Sequence, residues 1–477
     1  MSVAVVSVTA LDHARDALAA AAHAELDPRT RVQLEGRIVP TLLRMAWPNM
    51  LVMLAQAATG LIETWFVSRL GTDALAGMAL VFPGVMLMQM ISAGAMGGGI
   101  SSAIARALGA GRRADADALV LHAIVINIAL GALFSTVMLA WGRPIYRALG
   151  GAGGELDAAL AYSNVVFAGN ILLWVMNGLA SAIRGTGNML VPALVTCVGV
   201  IFLVPLSPCL IFGIGPFPAL GIAGGGAALM LFYGAGTAVL AWYIGSGRSL
   251  VRLRLSRPRW PEFRSILGVG AFASLTSVQT NVIIGLVTAL VARTAGPEAM
   301  AGYGTGARLE YLLIPLVFGL GAPLVAMVGT NIGAGQSQRA LRIAFVGGAI
   351  AFALTEAIGV AAALRPTAWP ELFSTDPRVV AAGGSYLRVV APTYGFFGLG
   401  LALYFASQGA GRLFWPLFAG FLRMLIALGG GWLALRLTGE LVWLFAAIAL
   451  GLVVQGATVL TAIVAGAWGK RRSGVAS

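Results

Sequence analysis

The sequence has few of the residues on which most metal sites, disulfide scaffolds and enzymes depend. Its 477 residues include two cysteines, three histidines and a single lysine, Lys470. Cys197 and Cys209 lie in one apolar run, which indicates neither a disulfide framework nor a metal site. The histidines have no metal-ligand spacing, and there is no Walker loop for ATP. We therefore expect no metal, no cofactor and no enzymatic activity.

Charged residues are also scarce. Only 10% of the residues are charged, whereas 59% are apolar, and the mean hydropathy is +0.89. A soluble protein cannot cover so many apolar side chains with polar surface. Apolar runs long enough to cross a hydrocarbon core of about 30 Å, which takes roughly 20 helical residues, recur from residue 39 to residue 468. The chain is therefore predicted to be an integral membrane protein.

Twelve such runs are separated by short segments rich in glycine, proline or arginine. Because they are long and lack two-residue alternation, they indicate helices and exclude a β-barrel. The predicted fold class is an all-α integral membrane protein with 12 transmembrane helices. The runs cover residues 41–68, 74–105, 117–141, 158–182, 189–213, 219–245, 265–292, 298–330, 339–363, 379–407, 413–435 and 440–468.

Basic residues exceed acidic ones, giving a formal net charge of +13, and they are unevenly distributed among the connecting segments. If the N-terminus is cytoplasmic, most arginines fall in cytoplasmic segments, including the cluster from Arg248 to Arg264. The positive-inside rule therefore predicts that both termini are cytoplasmic. Topology and attraction to anionic headgroups account for the basic surplus, so no nucleic-acid partner is predicted.

The second half of the chain repeats the first. ALAGM at 74–78 corresponds to AMAGY at 299–303, a shift of 225, and LGAGR at 108–112 corresponds to IGAGQ at 332–336, a shift of 224. RGTGNMLVP at 184–192 corresponds to QGAGRLFWP at 408–416, again with a shift of 224. Chance similarity of glycine-rich loops is the alternative, but three matches in register argue against it.

A repeat of six spans preserves orientation, which predicts two six-helix lobes related by a pseudo-twofold axis along the membrane normal. The predicted domains are a cytoplasmic N-terminal extension (1–37), an N-lobe with spans 1 to 6 (38–245), a basic cytoplasmic linker (246–264), a C-lobe with spans 7 to 12 (265–468) and a basic cytoplasmic tail (469–477).

Glu63 is the most informative charged residue. It lies six residues before Arg69, about 9 Å inside the outer end of the first span, where a bare carboxylate is costly. A carboxyl group that binds protons differently in two conformations can couple proton movement to the conformational change. The alternative is that Glu63 reaches outward or pairs with Arg69, although six residues is a poor spacing for a pair on a helix. Its counterpart in the repeat is Thr288, so only the first half has this acid.

Several segments, in this order and spacing, resemble the multidrug and toxic compound extrusion (MATE) family. They are TWFVSRLGTDALAGMAL, ALGAGRRADA, AIRGTGNMLVPAL, IFGIGPFPALGIAGGGAAL, GARLEYLLIPLVFGLGAPLVAMVGTNIGAG and QGAGRLFWP. The resemblance extends from about residue 38 to residue 468, and the GARLE segment is most similar to the DinF-like bacterial branch. It implies a cation-coupled exporter of a bacterial inner membrane, with a V-shaped central cavity that opens alternately to the two sides.

The resemblance also implies site residues. The acid in the family's first helix falls on Glu63, where the family usually has Asp, and its second N-lobe acid falls on Ser207. These two residues are the expected cation-coupling pair, although the second carboxylate is missing. Ser207 can still accept one hydrogen bond from a protonated Glu63. Glu310 resembles the acid that DinF-like members have in the GARLE segment.

The other intramembrane charges are Arg308, Glu356 and Arg423. Structural ion pairs, in which Arg423 neutralises Glu310 or Glu356, and a substrate or gating role are both open. Polar residues that are candidates for lining the cavity, or for hydrogen bonds between helices, are Gln56, Thr59, Asn170, Asn177, Gln279, Tyr303 and Tyr394.

The predicted function is a secondary antiporter that exports organic, often cationic or amphipathic, compounds in exchange for H⁺ or Na⁺. Its expected partners are a small-molecule substrate and the lipid bilayer, and it is expected to act as a monomer. The main alternative is a flippase of a lipid-linked precursor on the same two-lobe plan, which requires a basic cavity for a pyrophosphate. A channel is a third possibility, which would pass ions faster than any carrier.

Overall fold

The computed structural model describes residues 27–254, 257–294 and 296–469, and within these ranges the chain forms seventeen α-helices. They are α1 Pro28–Glu35, α2 Ile38–Ser68, α3 Thr72–Gln89, α4 Gly97–Gly109, α5 Arg113–Ala148, α6 Gly153–Ala168, α7 Asn170–Gly185, α8 Leu190–Phe212, α9 Ile222–Gly245, α10 Trp260–Thr294, α11 Gly296–Gly333, α12 Ser337–Leu364, α13 Pro377–Val390, α14 Tyr394–Ala410, α15 Phe414–Met424, α16 Gly431–Thr438 and α17 Leu441–Val464. π-helical turns at Met90–Met96 and Leu425–Gly430 join α3 to α4 and α15 to α16.

The predicted fold class is confirmed. In the described ranges, eleven helical segments are long and apolar enough to cross a membrane, and the bent pair α6 and α7 completes a twelfth. The helices extend beyond the apolar runs, so that α5, predicted over 117–141, runs from Arg113 to Ala148. Its polar ends remain helical because backbone hydrogen bonds continue where the helix leaves the hydrocarbon layer.

Matching backbone features recur in the two lobes at the spacing of the repeat. Gly111 and Gly335, which the shift of 224 relates, follow α4 and α11 with φ angles of +72° and +74°. Glycine suits this left-handed conformation because it has no Cβ atom. Span 4 is broken at Gly169, and span 10 is broken at the corresponding turn, Ala391–Thr393. These features give the repeat a structural basis.

The two lobes meet across a pseudo-symmetric contact at the predicted cytoplasmic end. A Cβ atom on Gly109 of α4 would overlap the carbonyl of Thr330 on α11, and one on Gly333 of α11 would overlap the carbonyl of Arg106 on α4. The shift of 224 relates Arg106 to Thr330 and Gly109 to Gly333. The two glycine contacts are therefore equivalent under the repeat. A contact of this self-complementary kind is expected where a twofold axis passes between two elements.

Helix α1 lies outside the repeat and ties the two lobes together at the same end. Gln33 Nε2 donates to the carbonyl of Thr186 in the N-lobe at 3.5 Å. From the C-lobe, Thr330 Oγ1 donates to Gln33 Oε1 at 3.2 Å, and Asn331 Nδ2 donates to the Gln33 carbonyl at 3.0 Å. We call Gln33 and these three partners the Gln33 clamp.

The predicted linker packs against α5. The Arg252 backbone N–H donates to Asp117 Oδ1 at 2.8 Å, and the Arg259 backbone N–H donates to His122 Nε2 at 2.9 Å. Helix α10 then begins at Trp260, before the predicted start of the C-lobe. Most of the predicted N-terminal extension (1–26) and of the predicted tail (470–477) lies outside the described residues.

Candidate functional site

Glu63 lies inside the N-lobe, where α2 packs against the other helices of that lobe. Its side chain is buried, with 4% of the residue exposed, and neither carboxyl oxygen has a hydrogen-bond partner among the described residues. Arg69 lies over the ring of Trp65, with 4.6 Å from the guanidinium carbon to the ring centre. The structure therefore supports neither a Glu63–Arg69 pair nor a carboxylate that reaches outward.

Three further helices form the pocket around this carboxyl group. Ser207 on α8 faces it and is itself buried, although the two groups do not form a regular hydrogen bond. On α9, a Cβ atom at Gly225 would lie 3.7 Å from Glu63 Oε2, so the glycine leaves room for the carboxyl group. Tyr162 on α6 and Tyr233 on α9 place phenol groups within electrostatic range of it. The fold thus brings together Glu63 and Ser207, as the resemblance implies.

Tyr162 and Tyr233 are the members of this pocket that sequence reasoning missed. Each is a tyrosine in an otherwise apolar span, which is an available signal, but only the packing of α6 and α9 brings both within electrostatic range of the same carboxyl group. A buried carboxyl group without a partner is costly as an anion. A bound proton or metal cation removes that cost, so the pocket is suited to a cation-dependent step.

A second polar cluster occupies the C-lobe. Glu310 on α11 accepts at Oε1 from Arg423 Nη2 on α15, at 3.4 Å, and at Oε2 from Tyr386 Oη on α13, at 3.1 Å. Arg423 Nη1 also donates to Gln455 Oε1 on α17 at 3.2 Å. Of the two acids considered as partners of Arg423, Glu310 is the one with which it forms an ion pair. The pair and its hydrogen bonds join helices from different spans of the lobe.

Glu356 and Arg308 have other surroundings. Glu356 Oε2 accepts from the backbone N–H of Gly395 at 2.6 Å. That N–H is at the start of α14, just after the break in span 10, where helix donors have no partner within the helix. Glu356 therefore caps a broken helix and does not pair with Arg423. Arg308 is exposed, and its guanidinium lies 5.7 Å from the centre of the Phe373 ring.

A cavity of about 100 Å³ lies where the C-lobe faces span 2 of the N-lobe. Arg423 and Gln455 provide polar groups on its wall, and Phe318, Phe397 and Tyr404 provide aromatic faces. Among its described lining residues there is no carboxylate, and Glu310, the ion-pair partner of Arg423, is not one of them. Drug-sized ligands generally occupy pockets of about 300–1,000 Å³, so this cavity holds only a small part of such a molecule in the present conformation.

The seven residues predicted as candidates for lining the central cavity are not in the wall of this particular cavity. Among the described residues that form its wall, none of the seven candidates occurs. Asn170 is fully buried, and its Nδ2 donates to the Gly131 carbonyl at 3.1 Å. Asn177 Nδ2 donates to Ser92 Oγ at 3.1 Å. Both amides therefore form hydrogen bonds between helices, which is the other role that the sequence allowed.

The remaining candidates also lie outside the wall of this cavity. Thr59 is buried, and its hydroxyl donates to a carbonyl one turn earlier in α2. Gln279, Tyr303 and Tyr394 are buried in packed regions of the C-lobe. Gln56 is exposed, but it is not part of the cavity wall. The same physical reason applies to all five. A polar residue in an apolar span is expected to face other helices or water, but the sequence does not tell whether the space beside it is filled by a neighbouring helix or is part of a cavity.

Comparison with protein families gives a match to the MatE family model over residues 48–209 and 273–433. The two matched segments are offset by 225 at their starts and by 224 at their ends, the same shifts as in the internal repeat. Together they cover more than half of the chain.

Among curated proteins, the chain is 30% identical over 384 residues to a protein named FAD transporter from Shewanella oneidensis, covering 78% of this chain and 82% of that protein. It is 24% identical to a probable multidrug resistance protein, NorM, from Thermotoga maritima, covering 80% of this chain and 82% of that one.

Among solved structures, a MATE crystal structure in the bent conformation superposes with a TM-score of 0.85 at 22% identity, covering 92% of this chain and 98% of that one. An outward-facing multidrug resistance MATE transporter gives a TM-score of 0.83 at 22% identity, with the same coverage. At these identities, the structural likeness establishes the fold.

Proposed function

The chain belongs to the MATE family of membrane transporters, and we propose that it exports organic compounds in exchange for H⁺ or Na⁺, with Glu63 as the coupling residue. The observation that supports this proposal is the buried Glu63 carboxyl group, which has no hydrogen-bond partner in the described part of the chain. A cation bound there offsets the cost of the buried charge. The pocket with the cation and the pocket without it are therefore most stable in different conformations of the transporter.

The pocket offers oxygen ligands for either cation. Ser207 adds a hydroxyl beside the carboxyl group, and the phenols of Tyr162 and Tyr233 are within electrostatic range. A proton needs only the carboxyl group, whereas Na⁺ would also use neighbouring oxygens. The second acid expected from the resemblance is absent at Ser207, so we propose that one cation crosses in each cycle.

Alternating access would be achieved by movement of the two lobes about their shared contact. In the present conformation, Gly109 and Gly333 hold the lobes together at the predicted cytoplasmic end, and the Gln33 clamp adds hydrogen bonds there. We therefore propose that this conformation faces outward, in a bacterial inner membrane with both termini cytoplasmic and with the monomer as the functional unit. Opening toward the cytoplasm would separate these contacts.

The charge of the substrate is a separate question. Organic cations are expected from the family resemblance, but the cavity wall has Arg423 and aromatic rings in place of an accessible carboxylate. These groups are suited to an aromatic compound with a hydrogen-bond acceptor or a negative charge. The name of the Shewanella oneidensis relative, FAD transporter, is in keeping with this second candidate.

The flippase alternative receives less support. A lipid pyrophosphate requires several positive charges in the cavity, whereas Arg423 is the one arginine among the described lining residues. We therefore propose export of an aromatic organic compound, and not lipid translocation, as the function of this cavity.

The proposal can be tested with purified protein in proteoliposomes. Three fluorescent probes that differ in charge would be used: ethidium (cationic), riboflavin (neutral) and riboflavin phosphate (anionic). Each is measured under a pH gradient alone and under a sodium gradient alone, with protein-free liposomes as control. We expect at least one probe to move against its own gradient when the coupling cation is supplied. Movement of every probe only down its own gradient would contradict antiport.

A further inference from the structure

A second cavity, of about 500 Å³, shares no lining residue with the first and lies between α1, the first turns of α2 and the segment that leads into α8. Two arginines, Arg29 and Arg44, are part of its wall. The acids of the neighbouring α1 are already engaged, since Asp27 caps α1 through the Arg29 backbone N–H at 2.9 Å and Glu35 pairs with Arg31 at 3.3 Å. Among the described residues, neither the Arg29 nor the Arg44 guanidinium has an ion-pair partner.

The depth of this cavity in the membrane follows from two tryptophans on α2. Trp47 and Trp65 are 51% and 54% exposed. They are 18 residues apart, about 27 Å along a helix, which is close to the thickness of the hydrocarbon core. Tryptophan is enriched at both membrane interfaces, so these residues are expected near the two interfaces. Trp47 lines the cavity, and Arg44, one turn closer to the predicted cytoplasm, lies at the level of the lipid headgroups.

The wall of the cavity changes from polar to apolar in the direction of the bilayer. Beside the arginines it includes Trp47, Val32 and Leu190, each of which is about half exposed. We propose that this cavity binds an anionic phospholipid, with its phosphate between Arg29 and Arg44 and its acyl chains along Trp47 and Leu190. A zwitterionic lipid fits less well because its ammonium group would find no free acid among the described lining residues.

Binding there would act on the contact between the lobes. Gln33, the central residue of the Gln33 clamp, is also part of the cavity wall. A lipid seated against α1 holds this helix in the position from which Gln33 reaches both lobes. Anionic lipid is therefore expected to favour the conformation that is closed at the predicted cytoplasmic end.

Native mass spectrometry of the delipidated full-length protein in detergent can test the site. Phosphatidylglycerol is titrated in parallel with phosphatidylcholine and with soluble glycerol 3-phosphate as a competitor. We expect phosphatidylglycerol to bind saturably and more tightly than phosphatidylcholine, with little competition from glycerol 3-phosphate. Because each arginine near a headgroup contributes about fivefold, the double variant R29Q/R44Q should bind phosphatidylglycerol about 25-fold more weakly, and R29K/R44K should retain most of the affinity.

The matched control is R69Q, which removes an arginine beside a tryptophan on the same helix at the opposite interface. It should leave phosphatidylglycerol binding unchanged. Equal affinity of R29Q/R44Q and the unaltered protein, or an equal loss in R69Q, would overturn the assignment. Competition by glycerol 3-phosphate as strong as that by the lipid would also overturn it, since the site would then recognise a free phosphate. None of these outcomes depends on transport, so they are independent of the proposed antiport.

Discussion

Replacement of Glu63 by glutamine removes the one group to which the proposed coupling assigns the cation. Glutamine has nearly the same shape, so the packing of the carboxyl group against Gly225 is preserved. It can neither take up a proton nor balance a sodium ion. The variant is therefore expected to fold and to bind substrate, but to lose gradient-driven transport.

The size of the effect follows from the number of carboxyl groups in the pocket. With Ser207 in place of a second acid, the pocket contains one carboxyl group and should bind one monovalent cation. A tenfold gradient of that cation corresponds to about 1.4 kcal/mol, which supports at most a tenfold gradient of a neutral substrate when the membrane potential is zero. In Glu63→Gln the steady-state ratio should fall from about ten to one.

Proteoliposomes loaded with potassium and valinomycin, to hold the potential at zero, allow this ratio to be measured with riboflavin. Ser207→Ala should keep the tenfold ratio, because it leaves the number of carboxyl groups in the pocket unchanged. Ser207→Asp adds a second acid and should raise the ratio toward a hundredfold. A Glu63→Gln protein that still accumulates riboflavin tenfold under the gradient would refute the coupling role of Glu63.

Three further predictions concern contacts that position the lobes and the cavity. Glu310→Gln leaves Arg423 as an unpaired buried charge and should destabilise the protein by about 3 kcal/mol, whereas the double variant E310Q/R423M should recover most of the loss in thermal unfolding. Glu356→Ala removes the cap of α14 and should cost about 1 kcal/mol in the same assay, as is typical of a lost N-cap. Gly333→Ala places a Cβ atom against the opposite lobe and should slow transport, while Gly268→Ala, where a Cβ atom meets nothing within 4 Å, should have no effect; equal rates in the two alanine variants would contradict the contact.

The features that depend on composition and periodicity could be predicted from the sequence. The number of spans and the fold class follow from the length of the apolar runs. The arrangement in two lobes follows from the internal repeat, whose shifts also relate the two segments matched by the family model. Glu63 could be singled out because a lone acid in an apolar span has few structural roles. The sequence limited the ion-pair partner of Arg423 to two acids, Glu310 and Glu356, but it could not choose between them. The choice depends on which residues, far apart in the sequence, the folded lobe brings together.

The cavity could not be predicted in the same way. Asn170 and Asn177 are polar residues in apolar spans, and nothing in their local sequence tells whether another helix occupies the space beside them. The role of α1 is also invisible locally, because Gln33 is a polar residue of a short polar helix. Its importance comes from partners in two distant segments that the fold places on either side of it.

Helix α1 has no helical counterpart among the described residues of the second half of the chain. The segment at the corresponding position of the repeat is part of the linker, and its described residues are not helical. Two lobes of equal design would give inward-facing and outward-facing states of similar free energy. Separation of the lobes breaks the bonds from Gln33 to one lobe only. The two bonds to the C-lobe, at roughly 1 kcal/mol each, would shift that balance by about thirtyfold toward the proposed outward-facing state. In the proposed cycle, the resting transporter would be open to the exterior. The step that leaves this state, and not the step that returns to it, would then limit the transport rate.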